Sequence, residues 1–212
     1  MQRTTGWIGV GLLFITGAAP VFATTTEVLK SEKVVVTEET LASGEQEQMA
    51  GTHASLAVVL SGDKIRIKAV DGAAQSTPVK RGDTISEGAG VEILVNTGHT
   101  PLRLVRVEFL TGGSDKIWGM TGLAPNYKLL FEDRYSRTYD IRIAAHAWEP
   151  QRTHHARVVV CLSGAQLEHV LPDGSVQPST LMTDEVVWRL GQTHKGHNLG
   201  DTDRWVIAIE PK

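Results

Sequence analysis

The chain repeats itself at a constant spacing of 102 residues. Residues 28–108 align with residues 130–210 without a gap, and about 15 of the aligned positions are identical. The strongest match is an apolar segment, in which 53–62 aligns with 155–164 and ends at the same Ser-Gly pair. A repeat of about 80–90 residues is long enough to form a small domain. We therefore expect two tandem domains with the same fold.

Both copies carry the alternating pattern of β-strands. Charged and apolar residues alternate along 64–70, which is the period of a half-buried strand. In 204–210 the same period places Trp205, Ile207 and Ile209 on one face. No stretch shows a sustained helical period between capping residues. The sequence predicts an all-β chain in which each copy is a jelly-roll barrel or sandwich of roughly six to eight short strands.

These patterns divide the chain into four parts. A loose mature N-terminus is expected at 24–27. The segment 111–125, which is rich in glycine and turn residues, is interpreted as the connection between the two copies. The predicted parts are a signal peptide at 1–23, a first barrel at 24–110, a linker at 111–125 and a second barrel at 126–212.

The first 23 residues have the order of a secretory signal. Arg3 precedes an apolar stretch at 7–19, Pro20 ends the stretch, and 21–23 (Val-Phe-Ala) is a cleavage pattern. The prediction is a periplasmic or secreted protein, and an uncleaved N-terminal anchor is the alternative. Because the apolar run is short for a bilayer span and no second run follows, we expect no stable membrane insertion after cleavage.

Charge and cysteine content exclude several classes of function. The formal net charge is −3, from 21 basic and 24 acidic residues, so no basic surface is expected to bind nucleic acid. Cys161 is the single cysteine of the sequence, which excludes an intrachain disulfide and a zinc site made of several cysteines. Its apolar neighbours predict that Cys161 lies in a buried strand.

The second copy resembles the cupin family. Cupins have a motif in which a Gly, a His and an Asn follow one another at short spacing, and Gly191, His194 and Asn198 have that spacing. An earlier cupin motif with two histidines would fall within 149–164. The resemblance implies jelly-roll barrels and a site in the second barrel. It also implies one divalent transition metal (Fe, Mn, Ni, Zn or Cu) held by histidines and a carboxylate.

The earlier motif is incomplete in this sequence. Counting back from Gly164 places the histidine pair on Gln151 and Thr153. A slip of one residue places it on Arg152 and His154, which we favour because it keeps one histidine. An arginine cannot coordinate a cation and would repel one. The resemblance then implies His154 and His194 as metal ligands.

Other residues would have to complete such a metal site. The candidates are His155, Glu149 and His197. Strand alternation places His155 on the face opposite His154, so a bulge would have to turn one of them inward. The equivalent positions of the first copy hold Thr52, His53 and Glu92, for which we expect no metal site.

Without a metal, the same region predicts a different chemistry. The guanidinium groups of Arg152 and Arg157 could hold a carboxylate or a sugar acid by paired hydrogen bonds. Three hypotheses follow: a protein that binds a small polar or acidic molecule, a metal-dependent oxygenase or isomerase, and a scaffold that forms homodimers through its sheets. Six of the eight histidines lie in the second copy, and two of them, His146 and His169, are expected on loops or exposed strand faces.

Overall fold

The computed structural model describes residues 23–69, 72–88, 90–118 and 124–212. The predicted signal peptide, apart from Ala23, lies outside the described residues. The described chain is all-β, with 18 strands in four sheets and no helix. No helix able to cross a bilayer occurs in this part of the chain.

The two copies form equivalent sets of strands. Within its described residues the first copy forms β1 (Thr24–Lys30), β2 (Val34–Leu41), β3 (Gln46–Gly51), β4 (Ser55–Ser61), β5 (Lys64–Lys68), β6 (Ala74–Pro78), β7 (Thr84–Glu87), β8 (Gly90–Asn96) and β9 (Leu102–Phe109). The second copy forms β10 (Tyr127–Glu132), β11 (Ser136–Ile143), β12 (Trp148–His154), β13 (Arg157–Ser163), β14 (Ala165–Val170), β15 (Val176–Leu181), β16 (Val186–Arg189), β17 (Gln192–Asn198) and β18 (Arg204–Pro211).

Each copy is a jelly roll of two facing sheets. The first copy has the strand orders β1-β2-β9-β4-β7 and β3-β8-β5-β6, and the second has β10-β11-β18-β13-β16 and β12-β17-β14-β15. Position by position along the chain, these two topologies are the same. The prediction of a duplicated all-β fold is confirmed.

One detail of the N-terminal prediction is wrong. Residues 24–27 are not loose, because they begin β1, which pairs with β2 from Thr24 opposite Thr40 onwards. Three consecutive threonines open this strand, and β-branched residues favour extended backbone. With β1 and its counterpart β10, the described part of each copy has nine strands rather than six to eight.

A buried asparagine fixes the same turn in both copies. Asn96 donates from its side-chain amide to the carbonyl oxygens of Leu41 and Thr100 at 3.0 and 2.9 Å. Asn198 donates to the carbonyl of Thr202 at 2.8 Å, and its own side-chain oxygen accepts from a backbone N–H two residues later, as that of Asn96 does. The aligned asparagines therefore have a structural role, since each satisfies backbone groups that its own turn leaves unpaired.

The largest core cluster lies between the two barrels. It joins residues of β2, β4 and β9 to residues of β13 and β18, so the five-stranded sheets pack face to face. Ile207 and Ile209 are fully buried in it and Trp205 packs against them, as the alternation in β18 predicts. At its edge Asp184 binds Arg81 and Arg103, which ties the second barrel to the first.

Each barrel also has its own interior. In the second barrel the interior residues include Tyr127, Tyr139 and Cys161. Cys161 is fully buried, as predicted, and burial raises the pKa of its thiol to about 11. A thiol in that state is a poor nucleophile at neutral pH.

Candidate functional site

A bulge in β12 turns three polar side chains into the second barrel. The register between β12 and β17 shifts between Glu149 and Arg152, and Arg152 lies directly opposite His194. Glu149, Arg152 and His154 therefore share the inner face, whereas Gln151 is exposed. The structure has the slipped register favoured by the sequence.

Three histidine rings stack inside this barrel. The ring centroids of His154 and His194 are 4.9 Å apart, and those of His169 and His194 are 4.1 Å apart. Burial is the main cause that lowers the pKa of His194 to about 4 and that of His169 to about 3, and it lowers the pKa of His154 further still. Nearby arginine charges act in the same direction. All three imidazoles are therefore neutral at neutral pH.

A tyrosine lies at the base of the stack. The hydroxyl of Tyr127 donates to Glu149 and lies 3.3 Å from Nε2 of His154. The guanidinium carbon of Arg152 lies 3.5 Å from the centre of the Tyr127 ring. Burial and the Glu149 charge raise the pKa of Tyr127 well above its usual value, so Tyr127 stays a hydrogen-bond donor.

Four arginines supply the charge of this interior. Arg152, Arg157, Arg189 and Arg204 all influence the histidine stack electrostatically. None of them forms an ion pair with a carboxylate of the described chain. Arg157 and Arg204 are 7% exposed, and Nε of Arg204 has no hydrogen-bond partner among the described atoms. Burial lowers the pKa of Arg157 to about 10, which still leaves it charged at neutral pH.

Two of these arginines meet at a cavity. Arg157 in β13 lies directly opposite Arg189 in β16. Arg157 donates to the carbonyl of His155 at 3.2 Å and Arg189 donates to the hydroxyl of Ser179 at 3.0 Å. The cavity has a volume of about 410 Å³ and is lined by Arg157, His169, Gln177, Pro178, Ser179, Trp188, Arg189, Leu190, Gly191, Gln192 and His194.

No protein-family model matches the chain, and no curated protein sequence is significantly similar to it. Solved structures match it over both copies. A cupin 2 conserved barrel domain protein from Leptotrichia buccalis is 12% identical, with 93% of each chain covered and a TM-score of 0.60. The chain has the fold of a two-barrel cupin.

Two further solved structures have the same arrangement. AerE from Microcystis aeruginosa is 14% identical, with a TM-score of 0.63 over 92% of this chain and 100% of that one. Lactobacillus farciminis oxalate decarboxylase, in a formate complex, is 11% identical, with a TM-score of 0.63 over 90% and 82% of the two chains. At these identities the similarity establishes the cupin fold alone.

The interior does not fit the divalent metal that the cupin resemblance implied. His154 and His194 lie together, as that hypothesis requires. However, among the described residues no group of three or more His, Cys, Asp or Glu side chains is arranged to hold a metal ion. Arg152 lies beside both histidines, and its positive charge opposes a second cation in the same low-dielectric space.

Two candidate ligands lie away from this interior. His155 follows the last residue of β12 and stacks on Trp118, with ring centroids 4.1 Å apart. His197 lies on the outer face of β17, where it stacks on Trp148 and contacts Glu168 at 3.1 Å. Strand alternation explains the outward position of His197, which is three positions from the inward His194 in β17, whereas His155 lies beyond the end of β12.

The first barrel has the opposite charge. Arg106 binds Glu39 through two hydrogen bonds of 2.8 and 2.9 Å, also binds Glu87, and lies 3.5 Å from Glu47. Burial, and then Glu39, raise the pKa of Glu47 to about 7. Glu87 holds the position that Arg189 holds in the second copy. The duplicated barrels thus have acidic and basic interiors.

The first-copy counterparts of the candidate ligands form no histidine stack. Thr52 is exposed, and His53 pairs with Glu108 at 2.9 Å. The side chain of Glu92 lies outside the described atoms.

Sequence reasoning missed four residues of the second barrel: Tyr127, His169, Arg189 and Arg204. His169 was expected on a loop or an exposed face, yet it lies on the inner face of β14 and is partly buried. Its alternation with the buried Leu167 was the available signal. His146, in contrast, is on an exposed turn, as expected.

Proposed function

We propose that the second barrel binds a small anion, of which a carboxylate is the best candidate. The observation that carries this proposal is the pair Arg157–Arg189, which faces one cavity without a carboxylate partner in the described chain. Leaving like charges together in a largely buried site costs free energy unless an anion joins them. Paired guanidinium groups match the two oxygens of a carboxylate.

Two further observations support an anion. No Asp or Glu is among the described residues that line the cavity, and Glu149, the carboxylate beside His154, is engaged with Tyr127. One solved cupin structure with the same fold is an oxalate decarboxylase in a formate complex, and oxalate and formate are small carboxylates. Arg152, the other predicted anion ligand, packs on the ring of Tyr127 and does not line the cavity.

The test is calorimetric titration of the untagged mature protein with acetate and with sulfate at low ionic strength. We expect saturable binding that Arg157→Gln weakens at least tenfold, because a charge-assisted hydrogen bond is lost. Arg66→Gln is the matched control, since Arg66 is an exposed arginine of the first barrel. Absence of binding to both anions at millimolar concentration would contradict the proposal.

A metal-dependent enzyme is the second candidate function. It is favoured by one observation, the close approach of His154 and His194 inside one barrel. Metal quantification by mass spectrometry on the same preparation tests it. A near-stoichiometric transition metal that is lost in His194→Ala would replace the anion proposal with an oxygenase or isomerase. Absence of both metal and anion binding would favour the scaffold hypothesis, and light scattering would then test for a homodimer.

We also propose that the protein works in the periplasm or outside the cell. The order of charge, apolar run and cleavage pattern in residues 1–23 supports this location. N-terminal sequencing of protein purified from cell fractions tests it. The expected result is a periplasmic or secreted chain that begins at Thr24, and a full-length chain in the membrane fraction would indicate an uncleaved anchor.

A further inference from the structure

The cavity of the second barrel has a mixed lining. Arg157, Arg189 and Ser179 supply polar groups, and Pro178, Trp188 and Leu190 supply apolar surface. Such a lining suits a molecule that has both an acidic group and a hydrocarbon body.

The exposure of Leu190 is unusual for a large apolar side chain that lines a cavity. It follows β16 directly after Arg189, lines the cavity, and is 75% exposed. No other large hydrophobic side chain of the described chain is as exposed. A single exposed leucine is ordinary on a protein surface, but this one lies at the opening of a charged cavity.

The neutral polar side chains of the cavity are already engaged. Gln192 donates to Gln177 at 2.9 Å, and Ser179 accepts from Arg189. A sugar acid needs several hydrogen-bonding partners for its hydroxyl groups. The cavity instead offers guanidinium groups, stacked imidazoles and apolar surface.

The size of the cavity argues against a bare inorganic anion. A volume of about 410 Å³ lies in the range of sites for organic ligands of moderate size, roughly 300–1,000 Å³. Formate or sulfate would fill only a fraction of this volume, and Pro178 and Leu190 are among the residues that line the cavity.

From these observations we propose that the ligand of the second barrel is a monocarboxylic acid with an apolar body of several carbon atoms. The carboxylate binds Arg157 and Arg189, and the hydrocarbon part covers Leu190 and Pro178. This inference rests on the proposed anion-binding function and adds the ligand class to it.

A homologous series of acids tests the inference on the whole mature protein. Acetate, propionate, butyrate, pentanoate and 4-methylpentanoate are titrated under one set of conditions, with glucuronate as an acid that has a polar body. We expect the affinity to rise by up to about fourfold for each methylene group that becomes buried, and glucuronate to bind no better than acetate.

The other outcomes separate the two proposals. Equal affinity along the series, together with sulfate binding, would show recognition of the acidic group alone and would overturn this inference while the anion-binding function stands. Tighter binding of glucuronate than of 4-methylpentanoate would overturn it in favour of a sugar acid. No binding of any acid or of sulfate would overturn the anion-binding function as well.

Two matched variants test whether the hydrocarbon part of the ligand contacts Leu190. Leu190→Ser is expected to weaken 4-methylpentanoate binding by about tenfold, and to weaken acetate binding much less, because only the longer acid covers this side chain. Met182→Ser is the control, since Met182 is an exposed residue of the same barrel that does not line the cavity. Circular dichroism verifies that both variants are folded. An unchanged ratio of the two affinities in Leu190→Ser would overturn the inference.

Discussion

Arg157 and Arg189 are direct cross-strand partners, and neither forms an ion pair with a carboxylate in the described parts of the chain. The equivalent position to Arg189 in the first copy is Glu87, which binds Arg106. The duplication has therefore kept the strand register and reversed a charge. In the first barrel Arg106 is paired with buried carboxylates, whereas Arg157 and Arg189 of the second barrel have no ion-pair partner among the described residues.

The first prediction concerns the stability cost of this arginine pair. In a low-salt buffer without binding anions, Arg189→Gln should raise the free energy of unfolding by about 0.5–1 kcal/mol, because it removes a like-charge cross-strand pair. Sulfate should stabilise the wild type more than the variant, since only the wild type retains both guanidinium groups. Urea unfolding with and without sulfate measures both effects. A variant less stable than wild type in the anion-free buffer would contradict the prediction.

The second prediction concerns acid pH. The pKa values of His154, His169 and His194 in the folded protein lie below the value of about 6.5 for an unfolded chain. As the pH falls below about 6.5, the unfolded chain binds protons that the folded protein does not. Stability should then decrease by about 1.4 kcal/mol per pH unit for each histidine, until the folded-state pKa is reached.

Urea unfolding at pH 6.5 and pH 5.0 measures this loss. His194→Gln should reduce the change of unfolding free energy with pH by the contribution of one histidine. His146→Gln is the control, because His146 is exposed. Glu47 acts in the opposite sense, because its raised pKa stabilises the fold below about pH 4.5 and this contribution is lost as the pH rises towards 7. The slope is therefore best compared in a Glu47→Gln background. If His194→Gln leaves the pH dependence of the unfolding free energy unchanged, the lowered pKa of His194 does not contribute to the loss of stability in acid.

How far the sequence predicted this molecule depends on the type of contact. The repeat spacing predicted the duplicated fold, because turns such as those of Asn96 and Asn198 keep their local bonds in both copies. His169 was missed although it alternates with Leu167, because only the pairing of β14 with β17 shows which face of that strand lines the barrel. The inward position of Glu149 similarly depends on the bulge in β12.

The arginine pair could not be predicted for the same reason. Arg157 and Arg189 are separated by two other strands in the chain and meet only through the sheet order of the jelly roll. Neither arginine has an ion-pair partner among the described residues, although the charges of Glu210 and Glu149 act on Arg157. This depends on every side chain that faces the same space.

The third prediction concerns the hydroxyl of Tyr127. Tyr127→Phe should lower the free energy of unfolding by about 1–3 kcal/mol, because Glu149 is 2% exposed and would lose its hydrogen-bond donor. Glu149→Gln should cost less in the Tyr127→Phe background than in the wild type, since the charge is then no longer left unpaired. A double-mutant cycle measured by urea unfolding tests this coupling. Additive effects would show that the two side chains do not interact.

The fourth prediction concerns the acidic barrel. Arg106→Leu should destabilise the protein by about 3–5 kcal/mol at neutral pH, because Glu39 and Glu87 would remain buried without a cation. The loss should be smaller at pH 5, where the unpaired carboxyls can take up protons. Arg103→Leu is the control, since it removes a half-exposed ion pair that contributes about 1 kcal/mol or less. Equal losses for the two variants would contradict the prediction.

The fifth prediction concerns the position that separates this barrel from a metal site. Arg152 and His154 lie two residues apart on the inner face of β12, and Arg152 lies opposite His194. Arg152→His would replace a cation by a fourth imidazole in the interior that holds His154, His169 and His194, which removes the repulsion and adds a ligand. We expect at least tenfold tighter Co²⁺ binding than in the wild type, measured by the visible absorption of the ion. Thr153→His places a histidine on the exposed outer face of the same strand and should give no gain. If both variants bind Co²⁺ alike, the charge of Arg152 is not what opposes a metal here.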